Sequence, residues 1–98
     1  MSRIELAPEV RDDFGRILEH ILKHEGANAP ARIEDLIRAI DVLDRNPLIG
    51  RTVQADLREL VIGRRERGYV ALYRYVPALD TVFVLTIRSQ KEAGYART

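Results

Sequence analysis

At 98 residues and 11.2 kDa the chain can enclose one modest hydrophobic core but not two, which predicts a single domain over residues 1–98. Apolar residues at 46% and charged residues at 32% exclude wholesale disorder, and no apolar run approaches the length of a bilayer span. The absence of cysteine and the presence of only two histidines exclude a disulfide framework, a thiolate nucleophile and a cysteine-rich zinc site. The opening segment meets Glu9, Asp12 and Asp13 before any long hydrophobic stretch, so it lacks the form of a secretory signal and predicts a cytoplasmic protein. The net charge of +1 conceals an asymmetry. Residues 1–50 carry seven Arg/Lys and ten Asp/Glu, residues 51–98 nine and five, so the carboxyl half is the basic half.

Arg3 to Ala7 alternates polar and apolar residues and stops at Pro8, which predicts a short opening strand. Val10, Phe14, Ile17, Leu18, Ile21 and Leu22 then recur at helical spacing, with Pro8 and Glu9 suited to a helix start, and predict a helix over 9–24. Gly26 is a left-handed cap candidate, and Asn28-Ala29-Pro30 opens a second helix after a very short break. Its stripe is Ile33, Leu36, Ile37, Ile40 and Leu43, with Arg32, Glu34, Asp35, Arg38 and Asp41 left for water. Asn46-Pro47 and Gly50 predict a loop over roughly 44–55. Three strands follow, at 57–62, 69–76 and 82–87, joined by hairpin-length connections into an antiparallel meander in which the last strand is interior. Residues 89–98 read as a flexible tail. The predicted class is α+β in the order β-α-α-β-β-β, with both helices on one sheet face and the other face open to a partner.

The chemistry-bearing residues lie mostly in the second half: Arg51, Arg58, Arg64, Arg65, Arg67, Arg74 and Arg88, with Tyr69, Tyr73 and Tyr75. Period-two geometry puts the three tyrosines on one strand face and Val70, Leu72, Arg74 and Val76 on the other. Such a tyrosine row caps a core, anchors a protein or stacks on bases, and core packing is the leading reading. Arg64-Arg65-Glu66-Arg67 is a solvated hairpin tip or a cationic contact. His20 and His24 stand at i and i+4, but without a third ligand or the His-Glu-x-x-His pattern they read as surface residues. The pairs Asp12/Asp13 and Asp41/Asp44 lack a supporting ligand set, and no phosphate-binding glycine loop or serine elbow is present. Neither a metal nor a cofactor is expected. A metal-independent nuclease needs a base, an acid and a cation for the developing phosphorane charge. Arg58, Arg74 and Arg88 offer the cation, whereas the proton-transfer roles fall to Tyr95, if the tail folds back, and to Glu59, if it faces the basic strands.

Taken together, the segments Ile4 to Phe14, Asn46-Pro47-Leu48-Ile49-Gly50-Arg51, Leu57-Arg58-Glu59-Leu60-Val61-Ile62, Gly68 to Tyr75 and the strand through Ile87-Arg88 resemble the RelE/ParE family of type II toxins in order and spacing. The resemblance implies a toxin neutralised by a cognate, ParD-like or related antitoxin, with no membrane involvement. It does not identify the antitoxin-binding residues. Two targets are known for the fold: translating ribosomes, where messenger RNA is cut, and DNA gyrase, which is poisoned by binding. The ribonuclease branch carries basic strand residues resembling Arg58, Arg74 and Arg88 and an acid-base residue near the last strand, here matched only by Tyr95. No histidine follows Arg88, and the Leu-Arg-Glu-Leu-Val-Ile to Tyr-Arg run resembles the ParE branch more closely. The resemblance therefore implies a gyrase inhibitor, with Arg88 and Tyr95 as target-binding candidates beside the hairpin residues Arg64 and Arg65. Ribosome-dependent cleavage is the alternative.

Overall fold

The computed structural model of the chain describes residues 1–63 and 68–90. Pro8 occupies the first turn of helix α1 (Pro8–His24), where its missing N–H costs no hydrogen bond; Glu9 near the start and Lys23 and His24 near the end complement the helix dipole. Gly26, at φ +56°, turns the chain, and a single 3₁₀ turn (Gly26–Asn28) leads into α2 (Ala29–Asp41). The two stripes meet in one core with the sheet, in which Val10, Ile21, Leu36 and Leu43 are almost wholly buried. Each such side chain contributes about 1.5–3 kcal/mol. The stripes are narrower than their sequence pattern, since Leu22 and Ile37 face outward.

The sheet contains β1 (Arg3–Leu6), β2 (Arg51–Gln54), β3 (Leu57–Ile62), β4 (Tyr69–Val76) and β5 (Thr81–Ser89), in the spatial order β1-β5-β4-β3-β2. From β3 to β5 it is the expected antiparallel meander, with β5 interior, and β2 extends it by one further antiparallel strand. β1 differs: it runs parallel to β5, pairing Arg3 with Thr81 and Leu6 with Val84. Parallel neighbours need a crossover connection, which the helical hairpin and the rest of the sheet provide. No described helix is long and apolar enough to cross a membrane.

The expected loop over 44–55 is corrected at its end, where Arg51–Gln54 forms the additional strand β2. All four of its residues are exposed, so no buried face imposes an apolar alternation on the sequence. Its two-residue turn, Ala55-Asp56, also lacks a glycine, although Ala55 adopts φ +50°. A second irregularity lies in β5. Leu72 pairs with Thr86 and Tyr73 with Val84, so Leu85 is an extra residue. This bulge reverses the alternation, and Val82, Val84 and Ile87 all face the core despite their unequal spacing.

Candidate functional site

The strand register divides the basic residues between the two faces. Tyr69, Ala71 and Tyr73 lie buried on the helix-covered face, and Tyr75 is half-buried on the same side. Arg58 stands opposite Tyr73 and shares that face. Its Nη1 donates to the carbonyls of Leu48 (3.1 Å) and Gly50 (2.7 Å), while the Gly50 N–H donates to the Tyr73 hydroxyl at 2.7 Å. Burial pushes the Tyr73 phenol upward, against the opposing effects of the Gly50 hydrogen bond and the Arg58 charge, so it stays protonated at neutral pH. Arg58 thus binds the loop leading into β2.

Arg74 and Arg88 lie on the opposite face, Arg74 opposite Leu57 and Phe83, Arg88 opposite Val70. Along β4 these positions are four residues apart, about 13 Å at the usual rise per residue. Between and around them stand Leu57, Val70, Leu72, Val76 and Phe83, all half-buried, with Val61 exposed toward the β3 side. The face is an apolar strip with cations at its margins. Asp56 meets Arg74 at 3.1 Å, Glu59 meets Arg51 at 3.0 Å, and Glu5 meets Arg3 at 3.8 Å, so each of these three carboxylates has an arginine partner. Glu59, a candidate base, is almost completely buried in its pair.

The structure therefore brings Arg74 and Arg88 onto one face, spaced apart, and separates Arg58 from both. Tyr95, Arg64 and Arg65 lie outside the described residues. His20 and His24 are exposed on α1 with ring centroids 4.4 Å apart, and among the described residues no group of three His, Cys, Asp or Glu side chains is arranged to hold a metal. Arginine does not exchange its proton near neutrality, so the described part of the open face is equipped to bind, by apolar contact and fixed positive charge, more than to transfer protons.

Two features escape the sequence reading. Arg32, expected in water, is half-buried, with its guanidinium 6.0 Å from the Tyr69 ring centroid. Asp13, read from the sequence only as half of a carboxylate pair without a supporting ligand set, is buried: Oδ1 accepts from Arg16 (2.6 Å) and Oδ2 from the Ile87 N–H (3.1 Å). Its signal is present in the spacing, since Asp13 lies three residues after Val10 and four before Ile17 on the buried stripe.

Comparison with known proteins agrees with this architecture. Residues 4–94 match the family described as ParE toxin of type II toxin-antitoxin system, parDE. A curated relative, Toxin RelE3 of Caulobacter vibrioides, is 28% identical over 92 residues, which cover 94% of this chain and 98% of the relative. Among solved structures, the chromosomal ParDE system from P. aeruginosa superposes with a TM-score of 0.72 at 19% identity, covering 91% of this chain and 96% of the other. The intact E. coli RelBE toxin-antitoxin complex gives 0.59 at 17% identity, with the same coverages. These two likenesses concern the fold, while the family match spans nearly the whole chain. The chain belongs to the ParE toxin family, within the RelE/ParE superfamily of type II toxin-antitoxin toxins.

Proposed function

We propose that this toxin inhibits DNA gyrase by binding it, and that a cognate ParD-like antitoxin holds it inactive. The observation that carries the reading is the division of the arginines. Arg58 is engaged with the Leu48 and Gly50 carbonyls on the helix side, and the other face presents an apolar strip whose carboxylates are tied to arginines. A ribonuclease needs a cation and an acid-base couple converging on one phosphate. Binding needs only complementary area with a few anchors, which Leu72, Phe83, Arg74 and Arg88 supply. The family description and the ParDE likeness support the ParE branch and the antitoxin. Tyr95, Arg64 and Arg65 complete the proposed target contacts.

The test is supercoiling by purified gyrase. Folded toxin at saturation should abolish supercoiling, and Arg88→Ala should weaken inhibition about tenfold or more, the weight of an interface anchor. Full supercoiling at saturating wild-type toxin would remove the gyrase reading. The ribosome-dependent ribonuclease remains a second reading because the curated relative is a RelE toxin and the RelBE fold also matches. Under it, translating ribosomes would show codon-positioned cuts lost on substitution of Arg74, Arg88 and Tyr95.

A further inference from the structure

His20 and His24 stand one turn apart on α1, and both are exposed. The spacing alone carries little weight, because helix surfaces hold many such pairs. In the folded chain the two rings lie against each other, with centroids 4.4 Å apart and planes inclined by 44°, so both side chains are already directed to one patch of surface. Among the described residues no hydrogen bond engages either ring, and the charges on either side are drawn elsewhere: Arg16 pairs with Asp13 at 2.6 Å, and Glu25 faces Arg32 at 3.9 Å. His24 also closes α1, and the carbonyl groups of a last helical turn carry partial negative charge that favours a cation beside them.

We propose that His20 and His24 form a bidentate site for a divalent transition-metal ion of the copper, nickel and zinc class, one per chain, on the last turn of α1. Imidazole suits these ions, whereas magnesium and calcium require oxygen donors. Bringing two ring nitrogens onto one ion takes only rotation of exposed side chains, because the i, i+4 spacing sets the Cβ atoms about 5–6 Å apart. Among the described residues no group of three ligating side chains forms, so water fills the remaining coordination positions. The ion clips the helical turn that precedes Gly26, and binding and the helical state of that turn therefore support each other. The site is independent of the gyrase reading, since α1 packs on the sheet face opposite Arg74 and Arg88.

The experiment titrates nickel, zinc and magnesium chlorides separately into the tag-free full chain by calorimetry at about pH 7.5, where an ordinary imidazole is the neutral ligand. Nickel and zinc should bind with dissociation constants on the order of 10 μM, and magnesium should not bind. His20→Ala and His24→Ala alter exposed positions and should fold; each should weaken nickel binding about a hundredfold, because a lone imidazole loses its intramolecular second ligand. Saturating nickel should raise the melting temperature of the wild type and leave that of both variants unchanged. His24→Ala combined with Leu22→His, at another exposed position, keeps two histidines but sets them on different sides of the helix, and should bind no better than His24→Ala. Absence of saturable binding to the wild type, binding left intact by the single substitutions, or full binding by the double variant would overturn the proposal.

Discussion

Gly50 occupies a position where a side chain has no room. A Cβ there would lie 2.7 Å from both Cε1 and the hydroxyl of Tyr73 and 2.8 Å from the Glu59 carbonyl oxygen. Two of these atoms belong to a buried ring and the third to backbone, so relief requires moving the sheet or the loop. Gly50→Ala should therefore lose about 1–3 kcal/mol, read as a lower urea midpoint with an unchanged slope. The Ser2, Tyr75 and Asp80 cluster makes a pH prediction. Ser2 Oγ donates to Asp80 Oδ1 at 2.7 Å and the Tyr75 hydroxyl donates to the same atom at 2.9 Å, which holds the Asp80 carboxyl below its ordinary value. A depressed carboxyl stabilises the fold above its unfolded value, about 3.9, and that contribution fades as pH falls through the lower folded value. The melting temperature of Asp80→Asn should accordingly trail the wild type at neutral pH and converge with it in acid. The sequence offers Asp80 as a turn residue, yet its partnership with Ser2 joins positions 78 residues apart and leaves no local trace.

At the scale of elements, a buried carboxylate ties α1 to the sheet alongside its apolar stripe. Asp13 answers the Ile87 N–H just beyond the β5 bulge, where Leu85 interrupts the ladder. Removing that acceptor leaves a buried donor unpaired, at a cost of about 1–3 kcal/mol. Asp13→Ala should lower stability by that amount in urea unfolding, and Asp13→Asn, which keeps an acceptor oxygen, should recover part of the loss. Both helices and β3, β4 and β5 were legible because each has a periodic apolar face or a β-branched and aromatic run. β2 was not, because an exposed edge strand of four residues buries nothing and its turn uses Ala55 where glycine is customary.

For the whole molecule, the helical pair covers one sheet face and the described part of the other remains an apolar strip with arginines at its edge. Arg88→Ala, at an exposed position on that face, should thus reduce inhibition of gyrase while leaving the urea midpoint unchanged. Composition, helical and strand periodicity and the order of short segments were enough to determine the α+β class, the two helices, four of the five described strands and the toxin family. They also placed the tyrosines on a common face, since alternation within a strand is a local property. The tertiary structure decided that β1 runs parallel to β5, that Arg58 serves the Gly50 loop while Arg74 and Arg88 share the other face, and that Asp13 and Arg32 turn inward. Each depends on register, or on contact between segments far apart in the chain. A local pattern records which side of its own element a residue occupies, but not which other element lies against that side.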